Sequence, residues 1–340
     1  MKIAILAPPW FPVPPTGYGG IEWVVSLLAD GLVEAGHDVT LFASGDSRTK
    51  AELVSVFDVA PSAAIGTSEV EIRHALECFA RAAEFDVIND HSGPPAAALA
   101  GAVRTPTAHT VHGPLGGTPG DLYDAVARVA PRTRLISLTM NQRAPRPGLP
   151  WLANVPNALD FSLYPAHPHR GDYLLFLGRM NHEKGAHRAI AVATEAGVPL
   201  KLAGKKREPP EERYFHELVE PHLHAGEIEY LGEVSHGEKV ELLQNARATL
   251  FPIEWEEPFG LVMIESLACG TPVIATRRGS VPEVIEHGRT GIVVDDYREM
   301  AAAIEAADRL EPAALRAAAE QRFSKERMVA DYVAAFEQLL

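Results

Sequence analysis

I-E-W-E-E-P-F-G-L-V-M-I-E-S-L-A-C-G-T-P-V-I-A, residues Ile253–Ala275, reads as loop, helix, turn and strand. Pro258 stands where a helix can begin, because its missing N–H would be an orphan donor there anyway. Leu261, Val262, Ile264, Leu267 and Ala268 form an apolar face at helical spacing. Gly270 falls where a helix end takes a left-handed residue, and P-V-I-A is a short buried strand. Two carboxylates flank the helix start: Glu257 just before the first turn, and Glu265 after seven intervening residues. The first N–H groups, on Phe259, Gly260 and Leu261, lack helical partners and can meet an anion or hydroxyls. Helix glutamates are usually solvated. Here the apolar flanks and the P-F-G turn favour a binding site.

Strand and helix patterns alternate along the whole chain. Lys2–Ala7 reads as a buried strand, P-P-W-F-P-V-P-P-T-G-Y-G-G as a loop, Ile21–Ala35 as a helix and His37–Phe42 as the next strand. This βαβ opening puts a glycine-rich turn at the carboxyl end of the first strand, where open parallel sheets bind ligands. It is not the dinucleotide fingerprint, since Glu22 stands where the third glycine belongs after Gly17 and Gly19. Val70–Ala83 reads as a helix, and Asp86–Asn89 as a strand ending in D-H-S-G. Thr107–Val111 is another strand, with His112 and Gly113 at its tip and P-L-G-G-T-P-G after it as a loop. His112 is therefore placed to face a ligand. His91, also near a strand end, is a second candidate, while His109 lies on the strand and is expected to pack. Asn141, Gln142 and Arg143 read as well as a solvated helix start as they do as site residues.

Pro156–Arg170 holds three prolines and no helical period, which marks a linker. The pattern then restarts with a strand at Asp172–Leu177, the turn G-R-M-N-H-E-K-G and a helix from Ala186. Arg179 follows the strand and Lys184 precedes the helix, so two cations meet one helix N-terminus. Lys205, Lys206 and Arg207 read as a charged turn. Ser324 can cap a last helix with Met328, Tyr332, Val333, Phe336 and Leu340 on its apolar face.

Composition bounds the partners. The 340 residues are enough for two domains, and 46% hydrophobic content supports sizeable cores. The net charge of −14 disfavours nucleic acid and a polybasic grip on anionic lipid. Two cysteines give no disulfide framework, so a reducing, cytoplasmic setting is the expectation. The apolar run Ile3–Ala7 is too short for a signal segment, and no run reaches the roughly 20 residues of a membrane span.

E-P-F-G-L-V-x-x-E-S-L-A-C-G-T-P-V-I-A resembles the E-x7-E element of retaining glycosyltransferases of family 4. F-L-G-R-x-x-x-E-K-G and T-V-H-G are similar to further motifs of that family, and essentially the whole chain follows its pattern. Asn157–Asp160 departs from the family's N-G-x-D, with Ala158 in place of glycine. The resemblance implies an α/β GT-B fold of two Rossmann-like domains facing across a cleft. Residues 1–160 would form the acceptor domain, 171–323 the donor domain, and 324–340 a C-terminal helix crossing back to the first domain. It implies hexosyl transfer, with retention and front-face attack, from a UDP-, GDP-, ADP- or dTDP-hexose to an acceptor hydroxyl. Gly19, Gly20, Arg179 and Lys184 would bind the donor diphosphate. Glu257 and His112 would serve at the sugar, with backbone donors from Phe259, Gly260 and Leu261, and Glu265 would hold the ribose. No metal or other cofactor is expected, and a soluble acceptor is expected from the lack of a basic or amphipathic membrane face. The loops Pro8–Tyr18 and Pro114–Asp121 would meet that acceptor, with Trp10, Phe11 and Tyr18 open either to stacking or to packing. Two other readings remain at this point: a different GT-B enzyme, an epimerase or phosphorylase, and a catalytically silent sugar-nucleotide-binding subunit.

Overall fold

Short apolar runs bounded by glycine and proline need cover on both faces, and parallel sheets flanked by helices provide it. The computed structural model describes residues 1–17, 19–224 and 226–340 and divides into two units, Met1–Leu159 with Lys325–Leu340, and Asp160–Ser324. In the first unit the strands are β1 (Lys2–Leu6), β2 (Asp38–Phe42), β3 (Glu52–Val54), β4 (Val87–Asp90), β5 (Thr107–Thr110), β6 (Arg134–Ser137) and β7 (Trp151–Asn154). They form one parallel sheet in the order β3-β2-β1-β4-β5-β6-β7. The chain builds outward from β1 to β3, then returns past β1 to β4. The switch point of the sheet thus lies between β1 and β4. Leu6 pairs with Asp90 and Asp90 with His109, so the carboxyl ends of β1, β4 and β5 lie level. Leu6, Phe42, Phe79 and Ile88 anchor the core on one face. The last helix, Lys325–Glu337, belongs to this unit and buries Met328, Tyr332 and Phe336.

The second unit repeats the plan. Its strands are β8 (Tyr173–Leu177), β9 (Leu200–Ala203), β10 (Ile228–Tyr230), β11 (Ala246–Phe251), β12 (Val273–Thr276) and β13 (Gly291–Val294). They pair in parallel in the order β10-β9-β8-β11-β12-β13, with the switch between β8 and β11. Phe176, Leu202, Ile190, Leu250 and Ile274 share its core. Two parallel-sheet α/β units built this way give the GT-B fold class. Among the described residues, no helix is long and apolar enough to cross a membrane.

Three local expectations need correction. The helix of the decisive stretch spans Leu261–Ala268, not from Pro258, because Gly260 takes a left-handed conformation, φ 77°, at its N-cap. Phe259 and Gly260 therefore precede the helix. P-L-G-G-T-P-G is not all loop: a helix spans Gly117–Val129, and Pro119 sits in its first turn, where no N–H is required. Gln142 is not a solvated helix start. It is buried in the short helix Met140–Arg143.

Candidate active site

The carboxyl ends of β8 and β11 carry the charges of the second unit. Arg179 follows β8 and stands 3.8 Å from Glu183 and 3.9 Å from Glu211, too far for hydrogen bonds. Its guanidinium is thus held only loosely. Lys184 closes the same turn, its backbone N–H donating to Asn181 Oδ1 at 3.0 Å. Its ammonium reaches across the switch point to Glu257 Oε2, 73 residues away, after β11. The Trp255 indole N–H donates to the same oxygen at 3.0 Å, and its ring lies 5.1 Å from the ammonium. Glu257 is 8% exposed, and among the described residues no hydrogen-bond donor meets its Oε1.

Gly279 packs against that carboxylate's own backbone. It has φ 52°, and a Cβ there would come within 2.6 Å of the Glu257 carbonyl oxygen. Gly279→Ala is therefore expected to displace the Glu257 loop and to cost at least about 1–2 kcal/mol from the left-handed strain alone. A thermal melt beside an activity assay would check it, and an unchanged Tm with full activity would refute the packing argument.

Glu265 lies on the inner face of the helix Leu261–Ala268. Its Oε1 accepts from the Tyr164 hydroxyl at 2.8 Å and from Lys239 Nζ at 2.5 Å. Burial and the adjacent carboxylate push the Tyr164 hydroxyl strongly up, so it stays a donor. Glu265 Oε2 remains open among the described residues. Lys205 is not part of a solvated charged turn. It is buried and donates to Glu208 at 2.6 Å.

In the first unit, Gly19 caps the helix Gly20–Glu34 with φ 149°, and Glu22 is buried in its first turn. Burial raises the Glu22 carboxyl to about 7. Trp10 and Phe11 are half-buried, and the Trp10 carbonyl accepts from Ser62 Oγ at 2.6 Å. Tyr18 lies outside the described residues. His109 packs as expected, fully buried between Asp90 at 2.6 Å and the Tyr123 hydroxyl at 2.8 Å. His112 lies just past β5, half-buried, with its Nε2 2.9 Å from His91 Nδ1. Gln142 donates to the Val111 and Gly113 carbonyls, each at 2.8 Å, and so clamps the backbone on both sides of His112.

Two family profiles divide the chain: Glycosyltransferase Family 4 matches residues 18–154, and Glycosyl transferases group 1 matches residues 165–325. The chain is a family 4 glycosyltransferase. A glycogen synthase of Mycobacterium tuberculosis is 28% identical, over 94% of this chain and 89% of that protein. AviGT4, a glycosyltransferase involved in avilamycin A biosynthesis, superposes with a TM-score of 0.73 at 26% identity, over 100% of this chain and 98% of its own. HepE of Anabaena shares the fold, with a TM-score of 0.75 at 19% identity over 99% of this chain and 100% of its own.

The glycosyltransferase thus brings Arg179, Lys184 and Glu257 to one switch point, with Glu265 on the helix that follows. In the other unit Gly19 and Gly20 open the first helix, and His112 lies just past β5. Several partners escaped the sequence reading. Trp255 stood inside the decisive stretch and could have been suspected as an indole donor two residues from a glutamate. Tyr164 and Lys239 carry no local signal, while Gln142 stood open between a site residue and a solvated helix start.

Proposed function

We propose that this glycosyltransferase moves a hexosyl group from a nucleoside diphosphate sugar to an acceptor hydroxyl, with retention and without a metal. The observation that carries the proposal is the Lys184–Glu257 pair at the β8/β11 switch point, with Glu265 on the next helix. Cation and carboxylate side by side suit a substrate whose diphosphate adjoins its sugar. Arg179 and Lys184 hold the leaving diphosphate and offset the charge it gains in the transition state. Lys184 pairs with Glu257, so its ammonium is shared between that carboxylate and the donor phosphate.

Glu257 Oε1 takes a sugar hydroxyl, and Glu265 Oε2 a ribose hydroxyl. The backbone at Phe259, Gly260 and Leu261 supplies donors beside the sugar. On the first unit, Gly19 and Gly20 are assigned to the diphosphate and His112 to a sugar hydroxyl. The bond from the anomeric carbon to the phosphate oxygen breaks while the acceptor oxygen attacks on the same face. The released phosphate oxygen takes the acceptor's proton. No enzyme nucleophile is needed. HepE was solved with UDP-glucose, which supports this donor class. The two buried thiols suit a reducing compartment, so a cytoplasmic reaction belongs to the proposal.

Calorimetric titration with UDP, GDP, ADP and dTDP and their hexose conjugates, with and without EDTA, tests the donor. One base series should bind equally well in both buffers, and binding should weaken in Glu265→Ala. NMR of the product should show the donor's anomeric configuration kept. No binding to any series, or an inverted product, would overturn the proposal.

A further inference from the structure

At the ends of β4 and β5 the side chains of Asn89, His91 and His112 form a line; the sequence marked the two histidines but not their contact. Asn89 Nδ2 lies 3.0 Å from the Ala108 carbonyl oxygen and 3.3 Å from Thr110 Oγ1. A carbonyl only accepts, so the amide nitrogen is fixed at that end. The amide oxygen then faces His91 Nε2 at 2.6 Å, and that nitrogen must carry a proton. A neutral imidazole has one N–H, so His91 Nδ1 accepts and His112 Nε2, 2.9 Å away, donates. Burial holds both rings neutral, His91 well below its ordinary value and His112 at about 3. The His112 proton is therefore on Nε2, and Nδ1 keeps a bare lone pair. Among the described residues no side chain or backbone group bonds that nitrogen.

The supports of this line are rigid. Thr110 Oγ1 meets the Tyr332 hydroxyl of the last helix at 3.1 Å, and the Tyr332 ring lies 5.9 Å from His91. Gln142 pins the peptides on either side of His112. Ring and backbone of His112 are thus each held by a separate neighbour.

We infer that Asn89 and His91 are positioning residues that lock His112 as a hydrogen-bond acceptor, selecting a ligand hydroxyl that donates to Nδ1. The inference rests on the assignment of His112 to a sugar hydroxyl in the proposed reaction. An acceptor at this point favours a hexose with a free hydroxyl there. Replacement of that hydroxyl by fluorine, which cannot donate, removes the bond.

Imidazole 15N spectra of the histidine-labelled full chain read the tautomer directly. His112 should show a bare Nδ1 and a protonated Nε2. Asn89→Asp places a carboxylate on His91, favours protonation of both its nitrogens, and so forces His112 Nε2 to accept. The His112 proton should move to Nδ1, and kcat should fall about 10–100-fold with a smaller change in donor KM. A wild-type spectrum with the proton on Nδ1 would overturn the relay, whether or not the variant folds. An Asn89→Asp enzyme with an inverted spectrum and undiminished kcat would overturn its role in selection. Unchanged kinetics in His112→Ala, beside the expected wild-type spectrum, would instead overturn the sugar assignment beneath it.

Discussion

Lys184→Ala is expected to lower kcat by a factor of about 10²–10³ at saturating donor, the cost of one lost transition-state charge partner in the proposed reaction. The ammonium is the cation directly paired with Glu257 at the switch point, whereas Arg179 stands 3.8–3.9 Å from its carboxylates. Removing it has a second consequence. Glu257 is nearly buried and would keep only the Trp255 indole as its side-chain donor. Losing one partner of a buried pair costs about 3–5 kcal/mol when burial is complete. Here the lysine side chain is 16% exposed, so water recovers part of that cost. The two effects separate in a double variant. Lys184→Ala with Glu257→Ala should regain stability over Lys184→Ala alone, yet stay as inactive. Steady-state kinetics and thermal melts on the three variants decide it. Full turnover in Lys184→Ala would remove the lysine from the diphosphate.

What the sequence disclosed and what it hid follow one physical rule. Features set by neighbours in the chain were legible. The apolar period and terminal Gly270 marked the helix around Glu265, and the turn after β8 displayed Arg179 and Lys184 together. The start of that helix was misread because a left-handed Gly260, not Pro258, sets it. Features set by strand register were not legible. Asn89 and His91 meet His112 only because β4 and β5 pair with Asp90 opposite His109. Lys205 read as a charged turn although its partner Glu208 is only three residues on, because its burial is set by the fold. Tyr164 reaches Glu265 from 101 residues away. Such contacts leave no period in the sequence, so the candidate residues were readable where their supports were not.

The second large effect is an acid sensitivity of the first unit. His74 is held at about 4, His112 at about 3, and His91 well below 6.5, each chiefly by burial. In the unfolded chain all three titrate near 6.5. Between about pH 6.5 and 4 the unfolded state therefore binds three protons that the native state refuses. Stability is present above pH 6.5 and is lost as the pH falls. Glu22 works in the opposite direction. Its native value of about 7 against 4.5 lets the folded unit hold a proton the unfolded chain releases. Glu71, also raised by burial, opposes in the same sense. The net excess is one to two protons, or about 1.4–2.7 kcal/mol per pH unit. From pH 6.5 to 5 the unit should lose about 2–4 kcal/mol, a large share of a typical domain stability of roughly 5–15 kcal/mol. Urea unfolding at several pH values, followed by hydrogen exchange of the β4 and β5 amides, measures it. A profile flat from pH 7 to 5 would show that these rings are not held neutral. Glu22→Gln supplies the sign control. It removes the opposing proton, so the acid loss should steepen, while at pH 8, where burial of the ionised carboxylate is unfavourable, the variant should be more stable than the parent.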